Sequence, residues 1–84
     1  MKKAWTDEGW EQYVYWQTQD RKTLKKINKL LEDIERNGTK GLGQSEKLKN
    51  HDGYSRRIDQ ENRLVFQLRD GELIIYACRG HYEA

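Results

Sequence analysis

Residues 54–79 read YSRRIDQENRLVFQLRDGELIIYACR, and this stretch decides the fold. Three runs within it, 54–58, 63–68 and 73–79, are rich in β-branched and aromatic residues, the composition of strands. Asp70-Gly71 between the last two is a strong signal for a two-residue hairpin turn, and residues 59–62 make the turn before it. The stretch therefore predicts an antiparallel β-meander. A two-residue turn at Asp70-Gly71 sets Arg63 opposite Cys78, which brings His81 near Arg63.

Upstream, residues 38–47 hold three glycines and Leu42 as their one apolar residue, and they read as a mobile loop. Before that loop, Leu24, Ile27, Leu31 and Ile34 recur at three- and four-residue spacing, with Leu30 widening the stripe. This is an amphipathic helix that Asp20 caps and Asn37-Gly38 stops. A first helix over 7–19 starts after Thr6, a good N-cap, with Asp7 and Glu8 in its first turn. Its residues Trp10, Tyr13, Val14 and Gln17, with Trp16 beside them, follow the helical spacing of one face. Residues 3–5 fit a short edge strand. Strand, helix, helix, then meander is an α+β plan with the helices packed on one face of the sheet.

Composition narrows the function. Eighty-four residues with 35% hydrophobic content form one domain, spanning 1–84, with a small core. Cys78 is the sole cysteine, which rules out an internal disulfide and a clustered-cysteine zinc site. No apolar run approaches the roughly 20 residues that cross a bilayer, and the N-terminus lacks a signal peptide's apolar segment. A soluble, cytoplasmic protein without a membrane partner is expected. Sixteen basic and fourteen acidic residues give a net charge of +2, far from a dedicated nucleic-acid binder. Any anion site must be a local patch.

The meander gathers such a patch at one end. Arg57 lies near one turn, Arg63 across it, His81 and Tyr82 end the last strand, and Glu46 and Lys49 enter from the loop. One carboxylate, several cations and one imidazole suit cleavage of RNA by its own 2′-hydroxyl. That reaction needs a base for the hydroxyl proton, cations for the pentacovalent phosphate and an acid for the leaving 5′-oxygen. Each residue also has a plain structural reading. Glu46 is a solvated loop carboxylate, Arg56 and Arg57 are a solvent face or an edge-strand guard, and Arg63 is a surface cross-strand pair. His81 is an exposed side chain near a terminus, and Tyr82 packs its ring. His51 beside Asp52 is turn polarity with no assigned role. Cys78 is a small buried hydrophobe. The aromatic stripe Trp10, Tyr13, Tyr15 and Trp16 is read as core and interface rather than as a stack for bases.

Across residues 2–82 the chain resembles the YoeB/Txe toxins, a branch of the RelE-like toxins of bacterial toxin-antitoxin modules. The resemblance is carried by Trp5, Trp10 and the run Tyr13-Val14-Tyr15-Trp16; by Lys25-Lys26-Ile27-Asn28-Lys29-Leu30-Leu31; and by Gly41-Leu42-Gly43 with Glu46-Lys47-Leu48-Lys49. It continues through Ser55-Arg56-Arg57-Ile58, Asn62-Arg63-Leu64-Val65 and the terminal His81-Tyr82. It implies the same α+β, RelE-like fold and an endoribonuclease that cuts mRNA in the A site of translating ribosomes, needing no metal or other cofactor. It implies Glu46 as general base, His81 as acid, Arg63 as the residue that stabilises the phosphorane, Lys49 and Arg57 as phosphate holders, and Tyr82 as the aromatic that orients substrate. It further implies a cognate antitoxin of the YefM/Axe type as silencing partner, operator DNA reached through the antitoxin complex alone, and compatibility with a homodimer.

The chain departs from the family pattern at Ser45, where proline is common, in the shorter segment 50–54, at Gly80, and in Glu83-Ala84 after His81-Tyr82. Those departures motivate a second reading, an inactive toxin-like module that acts by binding antitoxin and co-repressing DNA. A third reading is a ribosome-independent ribonuclease, which the low net charge disfavours. An acidic, amphipathic antitoxin segment is expected to cover the region from Glu46 to Arg63 or to perturb His81.

Overall fold

A computed structural model describes residues 1–49 and 52–81. The elements run β1 (Lys2–Trp5), α1 (Asp7–Gln19), α2 (Arg21–Asn37), β2 (Glu46–Lys47), β3 (Tyr54–Arg57), β4 (Arg63–Arg69) and β5 (Glu72–Ala77). The five strands form one sheet in the order β1-β5-β4-β3-β2. β1 is an edge strand, parallel to β5, and the remaining pairings are antiparallel.

Both helices begin at the caps expected from their sequence. The Thr6 hydroxyl accepts the Gly9 N–H at 3.0 Å and donates to the Tyr76 carbonyl at 3.1 Å, so one side chain caps α1 and ties it to β5. Asp20 stands between the helices, and its carboxylate accepts the Lys22 and Thr23 N–H groups and the Thr23 hydroxyl. Those bonds hold its carboxyl below the usual aspartate range. Gly38 ends α2 at φ +68°, a backbone that a side chain would strain.

The core lies between the helices and one face of the sheet. Ile27, Leu30, Leu31 and Ile34 of α2 pack with Leu64, Phe66, Leu73 and Ile75 of the sheet, and Ile58, Trp16 and Cys78 complete the cluster. Because strand side chains alternate, Ser55, Arg57, Arg63, Val65 and Ala77 fall on the opposite, uncovered face. A small second cluster of Leu48, Val65 and Ala77 packs there.

Three expectations need correcting. The apolar row expected to form the packing face of α1 is not the buried one: Gly9 and Trp16 are the buried positions of the helix, whereas Trp10 and Val14 are exposed. The cause is close approach to β5. A Cβ at Gly9 would stand 2.6 Å from the Ile75 carbonyl oxygen, and the Trp16 indole donates to the Cys78 carbonyl at 2.9 Å. Trp10 instead packs against Trp5 and Tyr13, at centroid distances of 5.7 and 6.0 Å.

The hairpin register is the second correction. Pairing follows the two-residue turn from Arg69↔Glu72 to Phe66↔Ile75 and then slips by one, so that Val65 pairs with Ala77 and Tyr76 is the extra residue. Cys78 therefore does not face Arg63. It turns into the core, where its backbone N–H donates to Gln12 and burial pushes its thiol up to about 12. The Arg63 N–H pairs with the Gly80 carbonyl instead, at 3.1 Å. Thirdly, Glu46 and Lys47 lie in a short edge strand, Glu46↔Ser55 and Lys47↔Tyr54, rather than in a loop.

The contact at Gly9 yields a direct test. Gly9→Ala forces α1 away from β5 and is expected to cost about 1–3 kcal/mol, measured by urea unfolding. An unchanged unfolding midpoint would refute the close approach.

Candidate active site

Five of the six candidate residues converge. Glu46, Lys49, Arg57, Arg63 and His81 line one cleft of about 410 Å³ on the uncovered face of the sheet, with Ser55, Lys47 and Leu48 completing its wall. Tyr82 lies outside the described residues, as do His51 and Glu83-Ala84.

Strand register explains the gathering. Glu46 pairs with Ser55, and Arg57 pairs with Arg63, so these four side chains share one face. Two arginines placed directly opposite each other repel, an arrangement that an anion bound between them would relieve. Arg63 is not the surface pair of its plain reading. It is only 8% exposed, its Nε donates to the Ser55 hydroxyl at 2.9 Å, and its Nη2 donates to the Gln44 carbonyl at 3.2 Å. Glu46 stands 4.0 Å from Arg63 with a side chain 65% exposed, a carboxylate at the mouth of the cleft beside a fixed guanidinium.

His81 is placed by the turn between β3 and β4. Asp59 accepts the Glu61 and Asn62 N–H groups and the Asn62 amide, and Asn62 Oδ1 then accepts the Gly80 N–H at 2.7 Å. The His81 ring follows, with Nε2 3.1 Å from the Gln60 carbonyl. A carbonyl only accepts, so Nε2 is the donor in this contact.

The segment 38–45 is a strap rather than a free loop, and Arg56 fastens it. Neither plain reading of Arg56 holds: it is fully buried on the helix side, where period-two alternation places it with Tyr54 and Ile58. Its guanidinium is ion-paired with Asp33 of α2 and donates to the carbonyls of Gly38 (2.7 Å), Lys40 (3.1 Å) and Leu42 (3.3 Å). Asp33 also accepts the Leu42 N–H at 3.0 Å and the Asn37 amide at 2.7 Å. The Arg56 guanidinium, helped by these N–H donors, holds the Asp33 carboxyl below the usual aspartate range. Beyond Leu42, the Gly43 carbonyl accepts the Arg57 N–H, and the Ser45 hydroxyl donates to the Thr39 carbonyl. Gly43 has φ +85°, and a Cβ there would lie 2.8 Å from the Arg57 carbonyl.

Sequence reasoning missed Asp33, Ser55 and Asn62 as supports, and misplaced Arg56. The signals were present for two of them. Arg56 lies two residues from Tyr54 and from Ile58, and Asp59…Asn62 has the spacing of a side-chain-closed turn.

Over residues 5–82 the chain matches the family described as the YoeB-like toxin of bacterial type II toxin-antitoxin systems. It is 48% identical to Toxin YoeB of Escherichia coli K12, over 98% of this chain and all of the relative. A YoeB/ParE toxin from Agrobacterium tumefaciens superposes with TM-score 0.93 at 38% identity, covering 98% of this chain and 100% of the other. YoeB from Staphylococcus aureus, solved as a dimer, gives TM-score 0.92 at 42% identity, with 98% of each chain covered. The same S. aureus toxin in a heterotetrameric complex with YefM gives 0.90 at 42% identity and the same coverage.

The Asp33 carboxyl fixes the sign of an acid effect. Its folded-state pKa lies below the unfolded value, so its contribution to stability is complete above about 3.8 and is lost as pH falls through the folded value. Between pH 5 and pH 2, Asp33→Asn is expected to show a shallower fall of unfolding free energy than the parent chain, read by denaturant titration at each pH. Parallel curves would contradict an ionised, paired Asp33.

Proposed function

The chain belongs to the YoeB-like toxins of bacterial type II toxin-antitoxin systems, and from that premise we propose that it is a ribosome-dependent endoribonuclease that cuts mRNA in the A site and so inhibits translation. The observation that supports this reading most is the shared cleft of Glu46, Lys49, Arg57, Arg63 and His81.

Glu46 takes the proton of a ribose 2′-hydroxyl, and the freed oxygen attacks the adjacent phosphorus. Arg63, held by Ser55, faces the extra negative charge of the pentacovalent phosphate, and Lys49 and Arg57 hold the scissile phosphate beside it. His81 gives a proton to the departing 5′-oxygen, leaving a 2′,3′-cyclic phosphate and a 5′-hydroxyl. Tyr82 orients the substrate. Side chains supply both proton transfers and the charge stabilisation, so the reaction needs no metal or cofactor.

Glu46 is open to solvent and is the one carboxylate that lines the cleft among the described residues, which suits a substrate delivered and bent by another particle. The ribosome fills that role, and the modest net charge of +2 accords with poor capture of free RNA. The silencing partner is a YefM-like antitoxin, as in the S. aureus complex. Its acidic segment covers the cleft from Glu46 to Arg63 or displaces His81, and operator DNA is reached through that complex alone. A homodimer accords with the S. aureus relative, and the cytoplasm is where ribosomes and antitoxin are met.

The test is a cell-free bacterial translation reaction with mapping of mRNA 3′ ends. Cuts are expected only when ribosomes translate, and His81→Ala and Arg63→Ala are each expected to slow them by about 10²–10⁴-fold. Cuts in naked RNA would point to a free ribonuclease. A folded protein that arrests nothing would point to a binding module.

A further inference from the structure

We propose that Arg56 is a positioning residue for Glu46: the buried Asp33–Arg56 pair sets the path of the strap 38–45, and the strap sets where the Glu46 carboxylate stands against Arg63. The inference deepens the proposed function and rests on its assignment of Glu46 as base.

The strap crosses from the helix side of the sheet to the uncovered side, around the edge that β2 occupies. On the helix side, Arg56 takes the carbonyls of Gly38, Lys40 and Leu42, every second residue, with one planar fork. Only a guanidinium presents enough donors in a fixed plane to do this, and a lysine ammonium cannot. At the crossing, the Gly43 carbonyl meets the Arg57 N–H, and on the uncovered side the Gln44 carbonyl meets Arg63 Nη2. Three arginines from β3 and β4 thus seize the strap in sequence order, and the next ladder pair is Glu46↔Ser55.

The geometry couples the base to the residue that stabilises the phosphorane. Arg63 binds the strap through Nη2 and lies 4.0 Å from Glu46 through the same nitrogen, so a strap that slides moves both partners of the reaction. Glu46 itself, with most of its side chain in solvent, has little local packing to fix it. Its position is inherited from the backbone, and the backbone is fixed by a group buried on the far side of the sheet. A displacement of about 1 Å in a reacting group costs on the order of 10²-fold in rate.

The experiment compares Arg56→Lys and Asn37→Ala with the parent chain. Asn37 is exposed and touches the cage only by orienting Asp33, so its variant keeps the fold if Arg56→Lys does not. Single-turnover cleavage on programmed ribosomes, ribosome affinity and amide hydrogen exchange are measured on each protein. Expected for Arg56→Lys is a loss of about 10²-fold in the cleavage step with ribosome affinity within about threefold, and a smaller loss in the same direction for Asn37→Ala. Adding Glu46→Ala to Arg56→Lys is expected to cost clearly less than the sum of the two single losses, because most of the Arg56→Lys loss runs through that carboxylate. Faster exchange is expected at the Leu42 and Arg57 amides and at the Arg63 Nη2–H, with the α1 and α2 amides unchanged.

Fully additive losses, or a parental cleavage rate in folded Arg56→Lys, would overturn the proposal. So would unchanged exchange at those three sites, a result that stands even if the parent chain cuts nothing and the functional reading fails. Should Glu46→Ala cleave at the parental rate, the assignment of the base falls and the positioning role falls with it.

Discussion

Two-residue alternation along β3 and β4 is the constraint on which the molecule depends. On β3 and β4 the side chains that enter the cleft alternate with ones that enter the core: Ser55 sits between Tyr54 and Arg56, Arg57 between Arg56 and Ile58, and Arg63 directly before Leu64. A strand cannot move one set without the other, so the packing of Leu64 and Phe66 against α2 also aims Arg63. In a chain of 84 residues this economy is close to obligatory, since too few residues remain to build a scaffold and a site separately.

Adjacent arginines show how far position outweighs residue type. Arg57 is exposed and lines the cleft; Arg56, one residue earlier, is sealed beneath the sheet, against Asp33 and a ring of carbonyls, with its guanidinium 5.9 Å from the Phe66 ring centre. A buried arginine is tolerable because its charge is paired and its two terminal nitrogens are all engaged, while the remaining Nε has no hydrogen-bond partner among the described residues. The arrangement spends desolvation to define one backbone path for a glycine-rich segment that has no apolar content of its own to hold it.

Much of this was legible in the chain. Both helices, their N-caps at Thr6 and Asp20, the edge strand, the meander and the Asp70-Gly71 turn follow from periodicity and turn chemistry, because those signals are local. What escaped was non-local. The bulge at Tyr76 has no signature in the sequence of β5, and the inward Cys78 depends on where Trp16 and Gln12 reach. The outward Trp10 was unreadable because Gly9, not an apolar residue, marks the closest face of α1. Arg56 looked like surface because charge usually is. The convergence of Glu46, Arg57, Arg63 and His81 was visible as proximity to one end of the sheet, whereas Ser55 and Asn62, which hold Arg63 and the segment before His81, needed the hydrogen bonds themselves.

The bulge at Tyr76 also governs where the chain can change length. Between Arg63 and His81 the two strands must keep a fixed phase, one residue out of step, for cations to face the cleft and Cys78 the core. A single residue gained or lost inside either strand would exchange the two sides wholesale. Between those two residues, insertions fit at the Asp70-Gly71 turn, whose glycine meets nothing within 4 Å and which lies at the far end of β4 from Arg63. Descendants of this sequence can therefore vary in size at that tip without disturbing the pairing that sets Arg57 opposite Arg63.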